Sequence, residues 1–118
     1  MLLHGALASL HTWEGWVDHL SAHYRIVRID LPGFGLSEHL ASDDYTPEHA
    51  VELVEQVRHQ LHLEHFYLAG SSLGGFYATA AAERYGARAV LVNPTVRPDE
   101  DQRDQMGTQR KLYTCLLY

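Results

Sequence analysis

Two rhythms of apolar residues alternate along the chain. Short apolar runs occur at Leu2-Leu3, Arg25 to Ile29, Phe66 to Ala69 and Ala89 to Val92, and each is followed within two residues by Gly, Asp or Asn. Short runs closed by turn-forming residues read as buried strands. Between them, apolar positions recur at helical spacing. Trp13, Trp16, Val17 and Leu20 form one such face, for which Thr12 is the expected N-cap. Ala50, Leu53, Val54, Val57 and Leu61 form a second, opened by Thr46 as cap and Pro47 as first helical residue. Leu73 to Tyr85 forms a third, closed by Gly86 in the left-handed conformation. Strand and helix in strict alternation imply parallel strands joined by right-handed crossovers, with helices on both faces. The fold class is therefore α/β, a three-layer sandwich around a doubly wound parallel sheet of about four strands.

No linker, repeat or low-complexity segment divides residues 1–118, so a single domain is expected, with 97–118 irregular or marginally helical. The first strand is short, which points to a missing upstream segment. Leu112 to Tyr118 ends the chain on an apolar stretch that needs cover. Four parallel strands also leave two unpaired sheet edges, and such edges recruit partners. The tail or a second copy of the chain would serve, which makes a homo-oligomer an expected assembly.

Composition narrows the class of partner. With 118 residues the chain supports one hydrophobic core, and 46% hydrophobic with 20% charged residues excludes a disordered or fibrous chain. A net charge of -6 without a local Lys/Arg cluster gives nucleic acid no footprint. The single cysteine, Cys115, excludes an internal disulfide, and no apolar run reaches the length of a membrane span. The first residues lack the basic and long apolar regions of a signal peptide, so the cytoplasm is the expected compartment.

The sequence concentrates its chemistry at Gly70-Ser71-Ser72-Leu73-Gly74, where the third strand feeds the third helix. A serine at such a junction sits on a sharp, strained turn with its hydroxyl exposed, and flanking glycines remove side chains that would strike the strand and helix. Ser72 is the central residue and the candidate nucleophile. His59, His62 and His65 raise a metal reading, since His59 and His62 share a face if the helix continues. With no cysteine or carboxylate to complete a ligand set, solvated histidines are the better reading, and neither metal nor cofactor is expected. Trp13 and Trp16 read as core rather than as the wall of an acyl pocket. Asp30 and Ser37 read as holding their loop through Asx-type turns.

Three motifs in order, Leu3-His4-Gly5-Ala6, Asp30-Leu31-Pro32-Gly33-Phe34-Gly35-Leu36-Ser37 and Gly70-Ser71-Ser72-Leu73-Gly74-Gly75, resemble the alpha/beta-hydrolase superfamily from Leu2 to about Pro98. The elbow and Val90 to Pro98 look closest to compact bacterial esterases. The resemblance implies a truncated alpha/beta-hydrolase fold with strand order second, first, third, fourth, and an elbow at the carboxyl ends of the strands. It also implies that Ser72 is the nucleophile, with the backbone N–H groups of Leu73 and of Ala6 or Leu7 as the oxyanion hole. Such fixed donors are typically worth ~3 kcal/mol each.

The family supplies an acid and then a histidine after the serine. Here all nine histidines lie between His4 and His65, upstream of Ser72. Either the base is absent from this chain or an upstream histidine is recruited. His4, His11 and His39 follow strands and are the candidates, with His39 preferred because it trails a loop. Asp99 or Glu100 would supply the acid, against the plainer reading of a solvated acidic loop. The expected function is a serine carboxylic ester hydrolase that takes short to medium acyl esters as its small-molecule substrate. The alternatives are a catalytically impaired fragment that acts through association, and a carbon–carbon bond hydrolase.

Overall fold

The computed structural model describes residues 1–40, 46–92 and 116–117. Strand β1 (Leu2–Leu3) leads through a 3-10 turn (Leu10–Trp13) into helix α1 (Glu14–Leu20). Then follow β2 (Arg28–Ile29), α2 (Pro47–Gln60), β3 (Tyr67–Ser71), α3 (Leu73–Tyr85), β4 (Arg88–Val92) and β5 (Leu116–Leu117). The sheet order is β2-β1-β3-β4-β5, and the first four strands are parallel, in the order and direction expected. β2 is shorter than the apolar run from Arg25 because its described neighbour β1 offers only two residues to pair, Leu2 with Arg28 and Leu3 with Ile29.

The chain end departs from expectation. Leu116–Leu117 is a strand, not irregular or helical, and it runs antiparallel along β4 with Leu117 opposite Val90 and Leu116 opposite Leu91. One of the two sheet edges is therefore covered by the chain's own tail, one of the two covers expected for it. The remainder of 93–118 lies outside the described residues.

Alternation along the strands divides the core into two layers. Leu3, Leu68, Ala89 and Leu91 face α2 and α3, where they meet Ala50, Val54, Tyr77, Ala78 and Ala81. Leu2 and Ala69 face the other way, against Trp13, with Trp16, Val90 and Val92 closing around them. Helices thus cover both faces. Alanines rather than large residues at 78 and 81, both fully buried, let α3 lie close to the sheet. Trp13 is core, as the spacing predicted, and meets Trp16 edge to face at 4.9 Å. Its buried Nε1–H has no acceptor among the described residues. That omission costs about 1–3 kcal/mol, which burial of an indole of roughly 200 Å² more than offsets at about 25 cal/mol per Å².

Two helix boundaries differ in instructive ways. Thr12 is not a cap: it lies inside the 3-10 turn, which begins at Leu10 and is capped by Ser9. The turn starts earlier because the Asp30 carboxylate, far along the chain, accepts the Leu10 N–H at 2.7 Å. Helix α2 starts where expected, with Thr46 Oγ1 accepting the His49 N–H. It ends at Gln60, and His62 follows at φ +52, so His59 and His62 do not share a helical face. Gly86 closes α3 at φ +62, in the left-handed region predicted for it.

A charged pair on α2 meets the last residue of α3. Arg58 donates to both oxygens of Glu55 at 2.7 and 2.8 Å, and its guanidinium lies over the Tyr85 ring at 5.8 Å. Chiefly through the Arg58 hydrogen bonds, the Glu55 carboxyl is held down to about 2. A carboxylate held below its ordinary value of about 4.3 stabilises the fold above that pH and loses its effect as pH falls toward the folded value. Glu55→Gln should therefore lower the urea midpoint at neutral pH, and the gap from wild type should close between about pH 5 and pH 2. Leu68→Ala, in the larger core layer, should cost about 2–5 kcal/mol in the same measurement at every pH.

Candidate active site

The site is built where β3 turns into α3. Ser72 has φ +50 and ψ -115, a conformation that side-chain-bearing residues rarely adopt. Holding it costs on the order of 1–3 kcal/mol, which persists only because surrounding structure fixes it. The flanking glycines do the fixing. A Cβ on Gly70 would lie 2.1 Å from the Gly74 carbonyl oxygen, so the strand end can meet the first turn of α3 only without a side chain. A Cβ on Gly74 would lie 2.1 Å from the Leu3 carbonyl oxygen, so α3 seats against β1 under the same condition. The Ser72 N–H reaches the Val92 carbonyl at 3.4 Å, and the Ser72 carbonyl accepts from Gly75 and Phe76, which starts the helix.

Two further elements meet the serine. Leu73 is the first residue of α3, so its N–H has no acceptor within the helix and lies at the positive end of the helix dipole. Gly5, just beyond β1, packs on Ser72: a Cβ there would be 3.2 Å from the Ser72 Cβ and 3.9 Å from its Oγ. The turn Ala6-Leu7 follows directly, with Leu7 at φ +57 and its side chain 96% exposed. The structure thus brings Ser72, Leu73 and the Gly5–Leu7 turn to one place at the carboxyl ends of β1 and β3. A hydroxyl beside the first N–H of a helix is suited to attack a carbonyl and to place the oxyanion that forms near that N–H.

Two of the histidines considered as bases are committed elsewhere. His4 is fully buried, its Nε2 accepts the Leu31 N–H at 2.9 Å, and its Nδ1 lies 2.7 Å from the Gly5 carbonyl oxygen. A backbone N–H must donate, so Nε2 is the acceptor and Nδ1 carries the proton, donating to Gly5. With that tautomer, the 3.7 Å approach of Nε2 to Asp30 Oδ1 is a contact and not an ion pair. His11 is exposed and its Nδ1 lies 2.8 Å from Glu14 Oε1. The Glu14 carboxyl is held below its usual range by Arg28 first and His11 second. His39 sits on the exposed stretch that leaves the Gly33–Ser37 loop. Asp99 and Glu100 lie outside the described residues. A recess of about 60 Å³ opens between Pro32, Leu40, His49, Leu53, Gln56 and Tyr77; Ser72 is not among its lining residues.

Asp30 and Ser37 hold their loop as expected, but the sequence did not disclose how far the bonds of Asp30 reach. Its Oδ1 accepts the Leu10 N–H at 2.7 Å, its Oδ2 accepts the Leu36 N–H at 3.0 Å, and its carbonyl accepts the Ser37 hydroxyl at 2.7 Å. The Asx-type turn expected here is instead a wider set of bonds, which spans six and seven residues forward and twenty back. The bonds from Leu36 and then Leu10 hold the Asp30 carboxyl below the usual carboxylate range. Gly35, at φ +57, lies directly over that carboxylate, leaving no room for a Cβ. The glycine five positions after the aspartate was the one legible sign of this arrangement; the link to Leu10 had none.

Fold and elbow define a class: the chain belongs to the alpha/beta hydrolase fold family, whose description matches residues 1–114. It is 34% identical over 100 residues to the Abhydrolase domain-containing protein abhd-5.2 of Caenorhabditis elegans, covering 80% of this chain and 22% of that protein. It is 33% identical over 99 residues to the pimeloyl-[acyl-carrier protein] methyl ester esterase of Legionella pneumophila (strain Corby), covering 83% of this chain and 38% of that protein. Among solved structures, a thermophilic esterase from Thermogutta terrifontis superposes with a TM-score of 0.74 at 26% identity, over 96% of this chain and 44% of that one. The protein is thus a member of the alpha/beta hydrolase fold family related to esterases, and it spans less than half the length of each of these relatives.

The elbow's steric account is testable by stability alone. Gly70→Ala and Gly74→Ala should each cost more than about 3 kcal/mol in urea unfolding, because the added carbon meets backbone and not a movable side chain. Ser72→Gly should instead raise stability by about 1 kcal/mol, since relief of the strained φ outweighs the added freedom of the unfolded chain.

Proposed function

We propose that the protein is a serine carboxylic ester hydrolase that works through an acyl-enzyme on Ser72, with short to medium acyl esters as substrates. The strained Ser72, backed by Gly5 and followed by the Leu73 N–H, carries this reading. In the proposed reaction the Ser72 Oγ attacks the ester carbonyl carbon and its proton passes to a base. The carbonyl oxygen becomes an oxyanion held by the N–H groups of Leu73 and Ala6, where each fixed donor typically contributes ~3 kcal/mol. The C–O bond to the alcohol then breaks, the alkoxide takes the proton, and water releases the acid from Ser72 by the same route in reverse. The base proposed is His39 and the acid Asp99. His39 is proposed because it trails the Gly33–Ser37 loop on an exposed stretch, and His4 is set aside because both its ring nitrogens serve backbone groups of Gly5 and Leu31. Relatives named as esterases support the ester as substrate class.

A second reading has support in the sheet. Strand β2 ends the described sheet with nothing paired on its outer side, and the chain spans under half the length of its relatives. A non-catalytic chain that acts through association, with itself or another chain, fits those facts. Fluorophosphonate labelling and hydrolysis of nitrophenyl acetate and a longer nitrophenyl ester separate the two. The wild type should label and turn over, and Ser72→Ala should abolish labelling and reduce turnover by at least ~10³. Wild type that neither labels nor turns over would leave the association reading in place. His39→Ala should lower the rate by about 10²–10⁴; an unchanged rate excludes His39 as the base.

A further inference from the structure

The turn that presents the Ala6 N–H has no apolar anchor of its own. Ala6 and Leu7 are exposed, Leu7 nearly completely, and Ala8 and Ser9 are half-buried. Leu7 is also held at φ +57, where a leucine would not rest unaided. Something outside the turn must fix its shape, and both of its ends lead to one short segment. At the start, His4 bridges the Gly5 carbonyl and the Leu31 N–H through its two ring nitrogens. At the finish, the Leu10 N–H donates to Oδ1 of Asp30, the residue immediately before Leu31. Asp30 is fixed in turn by Leu36 and Ser37, and Gly35 lies over its carboxylate.

We infer that Asp30 is a positioning residue for the oxyanion turn: by holding the Leu10 N–H, its carboxylate fixes the far end of the turn so that Ala6 stays aimed beside Ser72. The functional half of this inference rests on the proposed use of the Ala6 N–H in ester hydrolysis. A hydrogen bond to an ionised carboxylate is roughly twice as strong as a neutral one, which suits a tether that must hold a turn without packing. Its low titration range keeps the carboxylate charged at any pH where a histidine base operates. A plainer role, in which Asp30 only caps the 3-10 turn, predicts no change at Ala6 when the bond is cut.

Leu10→Pro cuts the tether by removing a single N–H. Proline is accepted at the first position of a helix, and Ser9 before it is already extended at φ -148 and ψ 176, the conformation a following proline requires. Gly35→Ala attacks the same bond from the other side, because the new methyl displaces the carboxylate while Asp30 and Leu10 stay in place. Asp30→Asn is the mild variant, which keeps one acceptor oxygen of the two. Backbone N–H order parameters from NMR relaxation at Ala6 and Leu7 should fall from about 0.85 to below about 0.6 in Leu10→Pro and Gly35→Ala, and less in Asp30→Asn, while Ala69 and Ala78 in the core keep wild-type values. In the same variants the rate of Ser72 labelling and kcat for nitrophenyl acetate should fall roughly tenfold with KM unchanged, because an oxyanion donor acts in the transition state. Order parameters read the tether and labelling reads the ester chemistry, so failure of the one is seen apart from failure of the other. Unchanged order parameters at Ala6 and Leu7 in both Leu10→Pro and Gly35→Ala overturn the inference. So do lowered order parameters with labelling as fast as in wild type.

Discussion

Backbone against backbone, with no side chain between, is the contact on which this molecule depends. At Gly70 and Gly74 the end of β3, the first turn of α3 and the end of β1 approach so closely that a single added carbon on either glycine would sit 2.1 Å from a carbonyl oxygen. Three consequences follow from that approach. The chain must reverse direction in too few residues for ordinary dihedrals, so Ser72 takes a strained conformation. The helix must start at Leu73, so an N–H with no helical acceptor stands next to the serine. The exit of β1 must pass beside the elbow, so Gly5 packs on Ser72 and the Ala6-Leu7 turn follows directly. Strain at one residue, of a few kcal/mol, is sustained because the two core layers on either face of the sheet stabilise the fold by far more.

Polar groups then organise what packing leaves loose. His4 and Asp30 stand just past the ends of neighbouring strands and do not form an ion pair, although they approach within 3.7 Å. Each instead serves backbone groups: the histidine joins Gly5 to Leu31, and the aspartate joins Leu10 to Leu36. The two motifs that contain these residues, one after β1 and one after β2, therefore act as a single scaffold beneath the exposed turns. The same accounting bears on the proton acceptor, because a ring with both nitrogens bonded to backbone is unsuited to take a proton from Ser72.

Much of the fold was legible because its rules are local. Helical spacing and cap chemistry placed α2 and the end of α3, and short apolar runs placed β3 and β4. Strict alternation of the two elements gave a parallel sheet with helices on both faces. Errors arose where a distant group competed with a local rule. Thr12 looks like a cap from its neighbours, yet the Asp30 carboxylate draws the first turn back to Leu10. His62 continues a helical histidine pattern, yet the chain has already left the helix in a left-handed residue. The apolar tail was expected to cover a sheet edge, but that Leu116–Leu117 would do so antiparallel along β4 is set by the edge it meets.

By itself the sequence determined the layer architecture, the strand order implied by its motif resemblance, and the position of the elbow serine, since periodicity, glycine placement and motif order are written along the chain. Only the tertiary structure decided which backbone the glycines must clear, which histidine rings are already committed, and that Asp30 reaches Leu10. The reason is physical: a dihedral or a periodicity is a property of neighbouring residues, whereas a steric clearance or a hydrogen bond between residues twenty or seventy apart exists only once the sheet has brought them together.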